Sequence, residues 1–349
     1  MDTATHALLG ALVARAVPAS ATGTSPARHG WLGAVAAVFP DIDYLTYWID
    51  PLVFLAQWHR GPTHSLVLLP LWAALLGPVL ARMFAVPRTV AIALVALAIA
   101  SHIGADLLTS YGVHLLAPLS NWRPALDVSF VVDALFTGVV ILGLLASVRW
   151  HAHIGASAGL LGLVLYIAVQ AWAKNAAETL ARIHAQTPMA GEHAFHALPM
   201  APLPVYWKVL VAGDGRYAAA YLVLVPALHE RLRRLPGVAT LIRPYRAPSQ
   251  LVWREHVTPP ASSSATVRQM WRHREMAPFR RFTRYPVVYR DEIRGVQRCV
   301  WFTDLRYVFP GLTPAFRYGM CRHSQSGAWH PYRLRRFTID TRVPLRPKE

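Results

Sequence analysis

The stretch HRGPTHSLVLLPLWAALLGPVLARMF, residues 59–84, decides how the rest of the chain is read. His59 and His64 straddle a Gly61-Pro62 turn, and an uninterrupted apolar run over residues 65–80 follows at once. With flanking residues to Phe84 that run reaches the roughly 20 residues needed to cross a hydrocarbon core of about 30 Å. A polar turn set directly against a spanning segment puts its imidazoles at a membrane surface. Three further apolar runs, 90–111, 128–148 and 154–173, are each bounded by Arg, His or Lys. The expected architecture is an α-helical polytopic membrane domain of about four spanning helices. Residues 3–17, with Thr3 as candidate N-cap, and 31–39 are too short to span and read as re-entrant, interfacial or protein-packed helices. MDTATHALLG lacks the basic start of a cleaved signal, so insertion is expected to rely on internal segments.

Composition agrees. Of 349 residues, 54% are hydrophobic and only 15% charged, which excludes an ordinary soluble chain. The charges are unevenly placed: residues 1–174 hold seven Asp, no Glu and eight Lys or Arg, whereas residues 175–349 hold eleven acids and twenty-seven bases. The net charge of +17 therefore lies mainly in the second half, where it suits membrane lipids and their anionic headgroups, or a phosphorylated substrate. No nucleic-acid motif accompanies the arginines of 268–298, so nucleic acid is not an expected partner.

The texture changes after Ala185, giving a helical membrane domain over 1–185 and a basic, β-rich extramembrane domain over 186–349. In the latter, GDGRY (213–217) reads as a turn between strands, and PVVYR, CVWFTDLRYVF and AFRYGM read as a small antiparallel sheet with one solvated face. Residues 243–266 read as a linker or long loop. Cys299 and Cys321 form either one disulfide or two free thiols.

All seven acids of the first half are Asp, and an ionised Asp near a bilayer costs several kcal/mol unless neutralised. A divalent cation neutralises it most economically. His102 and Asp106 are four apart within a spanning run, hence on one helix face. They lie near the end of that run, while His59 and His64 lie just before the start of the preceding one, so both pairs reach one surface. Asp127, Asp133 and the loop 112–127 return to it. The expected metal ligands are His6, Asp41, His59, His64, His102, Asp106 and Asp133, with Asp43, Arg60 and Asp127 in catalytic roles. Arg60 is read as a phosphate or carboxylate clamp or as an interfacial anchor. Ligation without thiolate suits Zn²⁺ first, with Mn²⁺ or Fe²⁺ as alternatives, and an open coordination position implies hydrolysis. Asp50, His29 and His114 read as surface or loop residues, and His151 and His153 as interfacial on the opposite face. With four spans, Arg60, the loop 112–127 and Lys174 share one side and Arg82, Arg88 and Arg149 the other. That near balance leaves orientation open.

The motifs THALLG (5–10), PDIDYL (40–45), HRGPTHSL (59–66), SHIGADLLTSYG (101–112), LLAPLS (115–120) and the Asp pair 127/133 resemble, in order, those of the YdjM-like, LexA-regulated inner-membrane proteins, described as metal-dependent hydrolases. PLPVYWKVLV (202–211) and FTDLRY (302–307) resemble that family's less distinctive C-terminal part. The resemblance implies a multi-pass protein of the bacterial inner membrane with a His/Asp metal centre, and it implies no substrate. TH followed by PDID and HRxxxH is also similar to the zinc-dependent phospholipase C type of metal site, which would favour a phosphodiester or phospholipid. The leading expectation is a membrane-bound metal-dependent hydrolase acting on a phosphoester or lipid-linked substrate at the membrane surface. The alternatives are a divalent-ion transporter or channel, whose polar residues should recur across the spans, and a non-catalytic membrane module with a closed structural metal.

Overall fold

The computed structural model describes residues 1–20, 23–185, 194–323, 327–336 and 338–345. The chain divides into two compact units, one of Met1–Tyr47, Gln57–Lys174 and Ala201–Pro204, the other of Trp48–Ala56, Asn175–Met200 and Val205–Glu349. The boundary expected at 185/186 abuts residues 186–193, which lie outside the described residues.

The helices of the first half are α1 (Thr3–Ala16), α2 (Pro26–Val38), the single turn α3 (Pro51–Val53), α4 (Leu69–Phe84), α5 (Arg88–Leu107), α6 (Ala134–Arg149) and α7 (Ala152–Ile183). Asp2, rather than Thr3, caps α1, its carboxylate accepting from the Thr5 backbone N–H at 3.0 Å. α1 and α2 run antiparallel and very close, because Gly10 and Gly33 face each other. A Cβ on either would overlap the other's carbonyl oxygen. Close approach through small residues is how helices gain packing contact within a membrane. Leu94, Val95, Ala98 and Ile99 of α5 are buried against Leu32 and Ala36 of α2, which makes α5 the centre of this unit's core.

α5 and α7 are each long and apolar enough to cross a membrane, and Pro51–His64 with Leu69–Phe84 make a third candidate as a broken span bent by 65°. α6, at 16 residues, falls short of the roughly 20 needed. The four expected spans are thus two to three by length and composition. Local hydrogen bonding explains the shortfall. Ser65 Oγ donates to the Ala117 carbonyl at 2.6 Å, and α4 starts only at Leu69. The Val128 and Ser129 N–H groups donate to the Leu108 carbonyl, so the apolar run 128–133 precedes α6 instead of extending it.

The second half carries two antiparallel meanders. One is four-stranded, β1 (Phe195–Pro199), β2 (Tyr206–Gly213), β3 (Arg216–Val223) and β4 (Arg254–Val257). The other is five-stranded, β5 (Pro286–Arg294), β6 (Gln297–Asp304), β7 (Tyr318–Arg322), β8 (His330–Leu334) and β9 (Arg342–Pro344). Asp214 and Gly215 close the β2–β3 hairpin with φ of 26° and 73°, the positive values that a two-residue turn between twisted strands requires. Two sheets replace the single one expected, and the central strands β2 and β6 are buried on both faces along most of their length. The stretch 243–266 is no plain linker, since it supplies β4. Cys299 and Cys321, directly opposed on β6 and β7, are joined in a disulfide.

Candidate metal centre

Four segments of the helical unit converge. α1 brings His6, the 3-10 stretch Phe39–Trp48 after α2 brings Asp41 and Asp43, the turn before α4 brings His59, Arg60 and His64, and the end of α5 brings His102 and Asp106. Asp106 is the hub, with only 1% of its surface exposed. Its Oδ1 lies 2.8 Å from Arg60 Nη2 and 3.1 Å from His6 Nε2, and the Met1 amino group rests against it. Its Oδ2 lies 3.3 Å from His64 Nε2 and 3.5 Å from His102 Nε2.

Those two Nε2 atoms are 3.0 Å apart. His102 Nδ1–H donates to the Ala37 carbonyl at 2.6 Å, which leaves a lone pair on its Nε2. His64 Nδ1 lies 3.0 Å from Thr63 Oγ1 and 3.5 Å from Asp43 Oδ2. Two inward nitrogens beside a carboxylate oxygen need a proton or a cation between them. Donors about 2.1 Å from one ion stand about 3.0 Å apart at a right angle and about 3.4 Å apart at the tetrahedral angle. The observed spacings fall on that range, so the residues present fit a first-row divalent ion.

Asp41 Oδ1 approaches His102 Nε2 at 3.8 Å, and His6, Asp41 and His102 make a second group able to hold a metal beside His64, His102 and Asp106. The His6 ring stacks on His102 with centroids 3.6 Å apart, and its Nδ1 is buried without a hydrogen-bond partner among the described residues. His102 has one nitrogen left after bonding Ala37, so both groups draw on the same atom and describe alternative shells of a single ion.

Asp43 organises the turn. Its Oδ1 faces His59 Nδ1 at 3.1 Å, and its Oδ2 accepts from the Arg60 backbone N–H at 2.8 Å. Burial pushes its carboxyl up to about 6, against the lowering pull of His64 and Arg60. Arg60 itself adopts left-handed backbone, φ 56°, a conformation a non-glycine residue holds only when its surroundings enforce it. Its guanidinium is no interfacial anchor. It is buried, donates to Thr109 Oγ1 at 2.7 Å and stacks 4.9 Å over the Tyr111 ring.

Of the expected ligands, the structure gathers His6, Asp41, His64, His102 and Asp106. His59 turns to Asp43 and packs between Tyr44 and Tyr111. Asp133 caps α6 through the Leu135 and Phe136 N–H groups and accepts from Tyr166, Gln170 and Ser129, outside the two donor groups. Asp127 is buried at φ 54° in the loop returning beside α5, also outside them. His29 is buried at Thr24 rather than exposed, while His151 and His153 are exposed. Sequence reasoning missed Thr3, whose Oγ1 donates to Asp41 Oδ2 at 2.7 Å. Its only trace is the three-residue spacing from His6 that puts both on one helix face.

The far end of this unit has the opposite character. Arg15 donates to Ser147 Oγ at 2.7 Å and Arg28 to the Ala85 carbonyl at 3.2 Å, which draws Arg15, Arg28, Arg82, Arg88 and Arg149 to the end away from Asp106.

Apolar helices of membrane length with a buried His/Asp cluster at one end define an integral membrane protein with a metal-capable centre. Residues 1–177 match the family described as YdjM inner membrane protein, and the chain belongs to that family. The match spans every donor named above. Neither a curated protein nor a solved structure matches the chain.

Proposed function

We propose that this protein is a membrane-bound metal-dependent hydrolase that cleaves a phosphoester at the membrane surface. The observation that carries the reading is the convergence of His64 Nε2, His102 Nε2 and Asp106 Oδ2 within 3.5 Å of one another. A divalent ion held there supplies Lewis-acid activation of water and of the scissile ester. The chain's own residues do the rest. Asp43 and the Ala37 carbonyl orient the two imidazoles, so Asp43 is a positioning residue. Arg60 compensates Asp106 and keeps its Nε, which has no partner among the described residues, for a phosphate oxygen. Asp41 has an 11% exposed side chain against 5% for Asp43 and 1% for Asp106, and we assign its Oδ1 to take the proton of the attacking water while Thr3 holds Oδ2. Zn²⁺ suits the donor set, as do Mn²⁺ and Fe²⁺.

The test is elemental analysis of detergent-purified full-length protein, paired with hydrolysis of bis(p-nitrophenyl) phosphate before and after chelation. Near-stoichiometric metal and turnover that chelator abolishes and Zn²⁺ or Mn²⁺ restores are expected. Metal below about a tenth of an equivalent after mild purification would overturn the reading, given how strongly such donor sets bind.

A further inference from the structure

The metal centre does not end at its ligands. Asp41 and Thr3 stand at one end of a cleft of about 590 Å³, whose walls come from α2 and the residues after it (Val35, Phe39, Ile42) and from α4 (Leu76, Leu80). That volume lies within the roughly 300–1,000 Å³ typical of small-molecule sites. Leu76 and Leu80 are one helical turn apart on the same face, so this wall runs along the helix axis and away from the polar end. The lining contains no Lys or Arg among the described residues. Val35 and Ile42, 43% and 51% exposed, leave the cleft open at the protein surface beside α4, which belongs to a candidate span. A small water-soluble phosphoester has nothing to bind along such walls, whereas an amphiphile matches both the apolar channel and the polar end.

We propose that this cleft seats the apolar tail of a lipid whose phosphoester headgroup lies at Asp41 and the His/Asp centre. The assignment rests on the hydrolase reading for the headgroup's fate, while tail binding stands without it. Transfer of the tail from one apolar surrounding to another gains little by area, so the cleft selects through packing and by aligning the headgroup with the centre. Leu76 and Val35 are then specificity-determining residues.

The test uses the full chain in phosphatidylcholine nanodiscs doped with a phosphatidylcholine bearing a diazirine at the end of one acyl tail. Photo-adducts mapped by mass spectrometry should concentrate on residues 35–42 and 76–80, above the background on lipid-exposed Leu161 and Leu165 of α7. Leu76→Trp, which fills the cleft, should cut those adducts by about tenfold, the scale on which a hydrophobic pocket discriminates by shape. Leu75→Trp, on the 55% exposed outer face of α4, should leave them unchanged, and both variants should keep their metal. Adducts spread evenly over α2, α4 and α7, or adducts that persist in Leu76→Trp, would overturn the proposal. Where wild type also cleaves phosphodiesters, Leu76→Trp should lose activity on a long-chain phosphatidyl-p-nitrophenol and keep it on bis(p-nitrophenyl) phosphate. Specific tail labelling without turnover would sink the hydrolase reading alone.

Discussion

Replacing His102 by Ala removes one nitrogen from a shell in which both candidate ligand groups depend on it. Structural zinc sites of four ligands bind with about 10–16 kcal/mol, or roughly 3 kcal/mol per ligand, so the loss should weaken metal binding by more than about a hundredfold. Asp43→Asn should weaken it less, by about ten- to a hundredfold, because Asp43 orients His64 from 3.5 Å without belonging to either group. His151→Ala, exposed at the arginine-rich end, should change nothing. The double change His64→Ala with Asp106→Ala should be scarcely worse than either single change, since residues that act as a unit are non-additive. Competitive titration of detergent-purified protein with a chelating dye gives the affinities, and elemental analysis the stoichiometry. The reasoning fails if His102→Ala retains wild-type affinity. It fails equally if metal loss merely tracks loss of fold across all variants, because then the imidazole pair is bridged by a proton and the cluster is polar packing.

Gly33→Ala should act on the same centre from a distance, because the new Cβ overlaps the Gly10 carbonyl and displaces α2, whose Ala37 carbonyl fixes His102; a destabilisation of about 1–3 kcal/mol with reduced metal content is expected, and unchanged metal would refute the link. In the second unit, burial lowers the Lys208 pKa to about 7, against 10.5 for an unperturbed lysine. Between those values the unfolded state holds the extra proton, so stability should rise with pH from about 7 towards 10, and Lys208→Met should flatten that slope in hydrogen-exchange protection of β2 and β3 in the full chain. With Arg15 and Arg28 added to Arg82, Arg88 and Arg149, the positive-inside rule predicts a cytoplasmic location for the end opposite the candidate metal centre. A membrane-impermeant maleimide applied to intact cells should therefore label Asn121→Cys and not Trp150→Cys, and the reverse pattern would invert the topology.

Much of the centre could be read from the chain because its parts are local. The four-residue spacing of His102 and Asp106 and the Gly61-Pro62 turn between His59 and His64 are short-range geometry, and antiparallel apolar runs bring such pairs to one surface. What escaped depends on backbone partners and on competition. The Ala37 carbonyl that fixes the His102 tautomer carries no side-chain signal. Asp133 looked like a ligand because a capping aspartate before an apolar run and a metal-binding aspartate at a span's edge are the same letters in the same place. The apolar runs are longer than the helices they contain where Ser65, Val128 and Ser129 spend hydrogen bonds on neighbouring loops, a cost that hydropathy does not record. In the second half, alternation revealed strands, yet every pairing joins consecutive strands, so no local signal marks the break between β4 and β5 that makes two sheets, and β4 hid in a Pro- and Ser-rich stretch at a sheet edge.

The distribution of charge ties the site to the membrane more firmly than any single contact. In the helical unit Asp2, Asp41, Asp43, Asp106, Asp127 and Asp133 all lie at the end that carries the donors, and five arginines lie at the other. Had the acids been there for solubility they would be exposed, but Asp43, Asp106, Asp127 and Asp133 are buried. Pairing with arginine accounts for Asp106, whose Oδ1 meets Arg60 Nη2 at 2.8 Å. Arg60 and the Met1 amino group compensate Asp106, while imidazoles, neutral when they act as ligands, leave the neighbouring Asp41 and Asp43 with the remaining cost of burial. A divalent ion would relieve it where His64, His102 and Asp106 already stand at coordination distance.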